Sequence, residues 1–151
     1  MARKNGKTTM AAGVGLYLLL ADGEQSAEIF SVAADRDQAR IVFDTAREMV
    51  EDSAPLKRLV KVYRSSMVVE SSRSAYRVLS AEAYTKHGLN PHAIIFDELH
   101  AQPSRDLYDV LNTAMGKRAQ PLMVMITTAG YDRNSICWEQ HEYAVRVQKG
   151  L

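Results

Sequence analysis

Residues 93–98 read Ala-Ile-Ile-Phe-Asp-Glu, four apolar residues followed directly by two acids. A short apolar run of this kind is typical of a strand buried in a parallel sheet. In open α/β sheets, ligands bind at the carboxyl ends of such strands. We therefore expect Asp97 and Glu98 to face a ligand crevice. A strand that simply ends in solvated acids is the common alternative, so other motifs must decide between the two interpretations.

The segments on either side of this strand alternate between helical and strand patterns. Apolar spacing predicts a helix over about residues 7–21, and a buried strand follows at 28–34. Asp35 then opens a second helix, and Gln38 lies three residues further on, as in a capping box. Pro55 lies just past the predicted end of that helix.

Period-two segments between residues 60 and 81 predict an antiparallel β excursion before the Asp97 strand. After that strand, a helix opened by Ser104, a strand over Leu122–Ile126 and a last helix continue the alternation. The predicted class is α/β, a three-layer sandwich around a mainly parallel sheet.

Composition limits the classes of function. The 151 residues carry a net charge of +1, so the chain has no bulk positive field for a nucleic acid, and any DNA contact must be local. Cys137 is the only cysteine, which excludes an internal disulfide and fits a reducing compartment. The four histidines lack metal-ligand spacing, so zinc is not expected.

A second motif lies near the N-terminus, where residues 3–9 read Arg-Lys-Asn-Gly-Lys-Thr-Thr at the start of the first helix. This is the second half of the P-loop pattern, whose backbone N–H groups and helix N-terminus cradle phosphates. In this interpretation Lys7 reaches the β- and γ-phosphates of ATP, and Thr8 holds Mg²⁺ through its hydroxyl. Gly-Lys-Thr alone is more often a surface helix start. The paired carboxylates about 90 residues later favour the P-loop.

A third motif, Thr127-Thr128-Ala129-Gly130, follows the strand that ends at Ile126. If that strand neighbours the Asp97 strand, the two hydroxyls lie near the γ-phosphate and can respond to its loss. The tetrad is also good turn chemistry. Its position after the other two motifs favours a coupling role.

Together these motifs resemble the ATPase domain of terminase large subunits from tailed bacteriophages, over nearly the whole chain. Leu79-Ser-Ala-Glu82 and residues 88–100 add to the resemblance, and the Arg-Lys-Asn-Gly-Lys P-loop is its most specific part. It implies a P-loop NTPase of the additional-strand, RecA-like class, with ATP and Mg²⁺ as cofactors. In that class we expect the core sheet to have the strand order 28–34, 93–96, 122–126.

The resemblance also implies roles for individual residues. Asp97 becomes the Walker B aspartate, which holds Mg²⁺ together with Thr8, and Glu98 becomes the catalytic glutamate. Arg3 lies along the phosphates as a catalytic sensor. The implied nucleotide-binding residues are Arg3, Lys4, Asn5, Gly6, Lys7, Thr8, Thr9, Thr127 and Thr128.

The family's function implies the partners. Its ATPase domain drives double-stranded DNA into the procapsid, and a separate C-terminal nuclease domain cuts the concatemer. Portal protein, small terminase subunit and further copies in a homo-oligomeric ring are the implied partners, in the host cytoplasm and without a membrane. Arg73 and Arg77 are candidates for an arginine finger in trans, although solvated arginines are more common on an exposed strand.

Two departures from the family pattern concern the ends of the chain. The first P-loop glycine would fall on Met1, so the strand before the P-loop and the adenine-binding segment are missing, and nothing after Leu151 forms a nuclease. We expect residues 1–151 to be a single P-loop ATPase domain, truncated or excised from a longer terminase. Strand 122–126 should then be a sheet edge that invites self-association, and the loosely held P-loop should bind ATP more weakly than in a chain extended upstream.

Two other functions stay open. The string Asp97-Glu-Leu-His100 matches a DExH-type helicase, which would need a second RecA-like domain. A truncated ATPase fragment without activity is the other alternative.

Overall fold

Strands and helices alternate along most of the chain, as the sequence predicts. The computed structural model describes residues 6–79, 88–128 and 132–151. The helices are α1 Lys7–Leu20, α2 Arg36–Glu51, α3 Ala54–Leu59, α4 Asp106–Met115 and α5 Ile136–Gln148. The strands are β1 Glu28–Val32, β2 Lys61–Val62, β3 Ser66–Val69, β4 Ser74–Val78, β5 Ala93–Asp97 and β6 Leu122–Ile126. None of these helices, in the part of the chain that is described, is long and apolar enough to cross a membrane.

All six strands form one sheet in the order β2-β3-β4-β1-β5-β6. β4, β1, β5 and β6 run parallel, and β2, β3 and β4 form the predicted antiparallel excursion at one edge. The predicted neighbours β1, β5 and β6 are confirmed. Within the described ranges β6 is the other edge strand, and Leu122 and Met125 on it are exposed.

Helices cover both faces of the sheet, which gives the three predicted layers. One core lies under α1 and α2 and includes Ala12, Phe43, Tyr76 and Ile95. The other lies under α4 and α5 and includes Phe30, Phe96, Leu111 and Ile136. Because β5 supplies residues to both cores, it is buried along its whole length, as its continuous apolar run predicts.

One helix was not expected from the sequence. Pro55 lies in the first turn of the short helix α3 and does not merely mark the end of α2. Proline is favoured at this position because the first helical residue needs no N–H partner and the ring fixes a helical φ.

The packing of α1 against the sheet depends on a glycine. A Cβ added to Gly15 would lie 2.9 Å from Cε1 of Tyr76, whereas one added to Gly13 would meet nothing within 4 Å. The Tyr76 ring has no room to move, because it is fully buried, its hydroxyl lies 2.6 Å from Oγ of Ser31, and its ring meets Phe43 edge to face.

We therefore expect Gly15→Ala to destabilise the domain by about 1–3 kcal/mol through overpacking. Gly13→Ala is the matched control and should stabilise the domain by up to about 1 kcal/mol, because alanine is the better helix former. Urea unfolding of both variants measures the difference. Equal stabilities would contradict the close approach of α1 to Tyr76.

Candidate active site

The first turn of α1 leaves backbone N–H groups pointing out of the helix. Gly6 is its N-cap, with φ 68° and ψ 16°, a left-handed conformation that favours glycine. Its carbonyl accepts the N–H of Met10 at 2.9 Å, and no side chain caps this end. The N–H groups of the first turn therefore have no partner inside the helix, and they attract anions. Lys7 and Thr8 are half-buried here, and Thr9 is exposed.

α1 runs antiparallel to β5, which brings its start to the carboxyl edge of the sheet. Its far end is held by Asp22, whose Oδ2 lies 2.5 Å from Nε2 of His92, just before β5 begins. The opposite end of α1 carries Lys7, and the opposite end of β5 is Asp97.

Asp97 is buried at that carboxyl edge, with only 4% of its surface exposed. Its Oδ1 accepts the backbone N–H of Glu98 at 2.8 Å, and its Oδ2 accepts Nε2 of Gln38 at 3.3 Å. Burial raises the pKa of the Asp97 carboxyl, and the charge of Glu98 raises it further, while the two hydrogen bonds and the charge of Lys7 lower it. Lys7, at the start of α1, is thus one of the charges that act on this carboxyl.

Glu98 has an unusual backbone conformation, with φ 49° and ψ 50°. Left-handed conformations of non-glycine residues are strained and concentrate at functional sites. The residue opens a single 3-10 turn over Leu99–Ala101, and its carbonyl accepts the N–H of Ala101 at 2.8 Å. Its carboxylate is 28% exposed, and its Oε2 lies 3.0 Å from Nδ1 of His100. The turn therefore separates a buried carboxylate, Asp97, from a neighbouring one that solvent can reach.

Thr127 and Thr128 lie at the same edge, directly after β6. Asp97 is in register with Ile126, so these threonines come just past the level of Asp97 on the adjacent strand. Oγ1 of Thr127 lies 2.9 Å from Nδ1 of His100 and 3.2 Å from its backbone nitrogen. Oγ1 of Thr128 lies 3.5 Å from the same ring nitrogen. The third motif is thus linked to Glu98 through His100.

Magnesium is usually held by one or two carboxylates, waters and substrate phosphates, not by a cage of protein ligands. Asp97 supplies such a carboxylate beside a helix start suited to phosphates. No cluster of three or more His, Cys, Asp or Glu side chains suited to a metal occurs within residues 6–79, 88–128 and 132–151. The donors present fit Mg²⁺ bound together with a nucleotide.

The sequence matches the family model described as terminase large subunit, ATPase domain, over residues 1–146. The chain belongs to this family. It is 38% identical to the terminase large subunit of Enterobacteria phage HK97 over 133 residues, which cover 85% of this chain and 26% of that relative. The terminase domain described here therefore spans about a quarter of the length of that protein.

Solved structures agree with the assignment. The crystal structure of the HK97 large terminase matches with a TM-score of 0.87 at 33% identity, over 98% of this chain and 32% of that one. A large terminase from a thermophilic bacteriophage, solved in complex with ADP, matches with a TM-score of 0.67 at 16% identity, over 98% of this chain and 36% of that one. These relatives favour a terminase over the helicase alternative, and the P-loop NTPase fold is confirmed.

Most of the predicted site residues meet at one edge of the sheet. Arg3, Lys4 and Asn5 lie outside the described residues, as do Ala129 and Gly130 of the third motif. Arg77 contacts Oε1 of Glu28 at 3.4 Å, near the start of β1, and Arg73 precedes β4. Both candidate arginine-finger residues therefore lie toward the amino ends of the parallel strands, away from this site. The residues that come together are Gly6, Lys7, Thr8, Thr9, Asp97, Glu98, Thr127 and Thr128.

Sequence analysis missed two residues of this terminase site. The sequence predicted only a capping-box role for Gln38. One of the two hydrogen bonds of that box is confirmed, because the backbone N–H of Gln38 donates to Oδ1 of Asp35 at 2.8 Å. Its side chain turns to Asp97 and not back to the helix start. His100 was interpreted only as the last letter of a helicase motif. Its position directly beyond Asp97-Glu98 was the one available signal.

Proposed function

We propose that this terminase domain hydrolyses ATP, and that the complete protein uses the hydrolysis to move double-stranded DNA into the procapsid. The observation that carries the proposal is the placement of the open start of α1 and the buried carboxylate of Asp97 at one end of the sheet, which follows because Asp22 and His92 join the other ends of α1 and β5. A phosphate-binding helix start and a metal-binding carboxylate at one edge of a parallel sheet are the two elements that ATP with Mg²⁺ requires.

The residues then take the following roles. Backbone N–H groups of Gly6 to Thr9 hold the phosphates, and Lys7 neutralises the β- and γ-phosphate charge. Thr8 and Asp97 hold Mg²⁺, which stabilises the charge that develops on the phosphate oxygens. Glu98 orients the attacking water and accepts its proton.

The remaining predicted residues complete the proposal. Arg3 acts as a positively charged sensor along the phosphates, and Lys4 and Asn5 contribute to nucleotide binding. Thr127 and Thr128 respond to the loss of the γ-phosphate. The ADP complex of the large terminase from a thermophilic bacteriophage supports nucleotide binding in this fold. Portal protein, small terminase subunit, a homo-oligomeric ring and the host cytoplasm belong to the proposed role of the complete protein.

Calorimetric titration of the purified protein with a non-hydrolysable ATP analogue tests the nucleotide site. We expect saturable heat with Mg²⁺, and at least about tenfold weaker binding, or 1.4 kcal/mol, when EDTA removes the metal. Thr8→Val should bind no more tightly with Mg²⁺ than without it, because it lacks the metal-binding hydroxyl.

Thr9→Val is the matched control. Thr9 is exposed and contributes its backbone N–H, so this variant should keep the magnesium dependence. Absence of heat at millimolar analogue would favour the inactive-fragment alternative. Loss of the dependence in both variants would contradict the role of Thr8. ATP-driven strand separation by the protein would favour the helicase.

A further inference from the structure

The His100 side chain joins the carboxyl ends of two adjacent strands. Its Nδ1 lies 3.0 Å from Oε2 of Glu98, just past β5, and 2.9 Å from Oγ1 of Thr127, just past β6. Its backbone nitrogen lies 3.2 Å from the same hydroxyl. One residue therefore contacts the proposed catalytic glutamate and the proposed coupling motif together.

The hydrogen-bond partners determine where the ring proton lies. Thr127 has one hydroxyl proton, which it donates to the carbonyl of Thr128 at 3.0 Å. Its oxygen must then accept from the backbone N–H and from Nδ1 of His100. An ionised Glu98 carboxylate also only accepts. The Thr127 contact therefore requires a proton on Nδ1, and that proton also makes the contact with the nearby Glu98 carboxylate attractive instead of repulsive.

The attraction between the protonated Nδ1 of His100 and Oε2 of Glu98, 3.0 Å apart, limits the motion of Glu98. The carboxylate is partly solvated and sits at the end of a flexible side chain, whereas catalysis requires its position to be held within about 0.5 Å. The backbone of His100 is fixed by the 3-10 turn that it shares with Leu99 and Ala101. His100 is thus the rigid element against which the carboxylate can be held.

We propose that His100 is a positioning residue, which holds the Glu98 carboxylate for attack on ATP and transmits movement of Thr127 to it. The inference rests on the proposed ATP hydrolysis and deepens it. A shift of Thr127 after loss of the γ-phosphate withdraws one acceptor from Nδ1–H and so changes the contact with Glu98. The coupling motif and the glutamate then respond together.

Three substitutions of His100 separate positioning from stability. His100→Asn keeps a donor nitrogen bonded to Cγ, where Nδ1 lies, His100→Gln moves the donor one bond further out, and His100→Ala removes it. We expect His100→Ala and His100→Gln to lower kcat for ATP by about 10–100-fold, as loss of an orienting partner does at metal sites. KM for ATP should change less than about twofold, because the proposed role of His100 is to hold Glu98 and not to bind the nucleotide. His100→Asn should recover most of kcat.

Thr127→Val provides a second test, in combination with His100→Ala. If the two residues act through one N–H, the double variant His100→Ala/Thr127→Val should be no slower than the slower single variant. Independent, multiplying losses would overturn the shared contact. Thermal melts of each variant show which loss of rate comes from unfolding.

Two further measurements distinguish this inference from the function on which it rests. Absence of ATP turnover in the wild type, or turnover in Glu98→Gln equal to that of the wild type, would contradict the proposed function. Turnover that is lost in Glu98→Gln but unchanged in His100→Ala would contradict only the positioning role of His100. Nitrogen-15 NMR of the histidine rings reports the protonated nitrogen without any turnover, and a His100 ring protonated only on Nε2 would overturn the inference.

Discussion

Replacing Glu98 by glutamine is expected to lower ATP turnover by at least about 100-fold while nucleotide affinity changes less than about twofold. Glutamine has nearly the same shape but cannot accept the proton of the attacking water. Loss of the Glu98 carboxylate therefore raises the free energy of the transition state and leaves that of the bound ground state nearly unchanged. Steady-state ATPase rates and calorimetric titration of the same preparation separate the two effects.

Lys7→Ala should give the opposite pattern, because the lysine acts on the bound phosphates. We expect nucleotide binding itself to be lost, so that ATP turnover falls because the affinity for ATP is too low. The control for Glu98→Gln is Glu142→Gln on α5, since this residue is half exposed and its ion-pair partner is Arg146, at 4.0 Å. Equal ATPase rates in the wild type and Glu98→Gln would contradict the catalytic role of Glu98.

Asp97→Asn is expected to stabilise the nucleotide-free domain and, at the same time, to abolish magnesium-dependent nucleotide binding. The Asp97 residue is 4% exposed, so its ionised carboxylate loses hydration. This loss of hydration raises the pKa of the Asp97 carboxyl. Asparagine keeps the oxygen that accepts the N–H of Glu98 but carries no charge. A gain of about 1 kcal/mol corresponds to about 2–4 °C in melting temperature for a domain of this size.

The pH dependence of this gain has a definite sign. The folded state holds its Asp97 proton up to a higher pH than the unfolded chain, so stability is lost as the pH rises through the raised pKa. The advantage of Asp97→Asn should therefore grow from acid to neutral pH. Thermal melts across that range, with and without MgATP, measure both effects.

Asp109→Asn is the matched control for this substitution. Hydrogen bonding to Arg105 lowers the pKa of the Asp109 carboxyl, which favours the ionised form in the folded state. Neutralising this exposed carboxyl should bring no gain in melting temperature. A gain in Asp109→Asn but not in Asp97→Asn would show that burial of Asp97 carries no cost.

The parallel arrangement of the strands was predictable because it follows from a local pattern, whereas their order was implied by the family resemblance. Residues 93–96 are apolar on both sides of the strand, which requires helices on both faces of the sheet and therefore a parallel arrangement. The excursion before β5 was visible as alternation of apolar and polar residues, and its three strands form as expected. Pro55 lies past the end of α2 as predicted, but α3 was not predicted, because proline is compatible both with the position after a helix and with the first turn of the next one.

The placement of Lys7 near Asp97 required the tertiary structure, although both motifs were visible in the sequence. The residues are about 90 positions apart, and only the antiparallel packing of α1 on β5, anchored by Asp22 and His92, brings them to one edge. Pattern analysis assigns each motif to an element, but it does not measure the distance between elements.

By itself, the sequence determined the α/β class, the strand neighbours and the family, because each is recorded in short runs of adjacent residues such as 3–9 and 93–98. The tertiary structure alone decided that Gln38 turns to Asp97 and that His100 bridges Glu98 and Thr127. Side-chain direction in these cases depends on which hydrogen-bond partners the fold brings within about 3 Å. That choice is made between residues far apart in the chain, so no local pattern contains it.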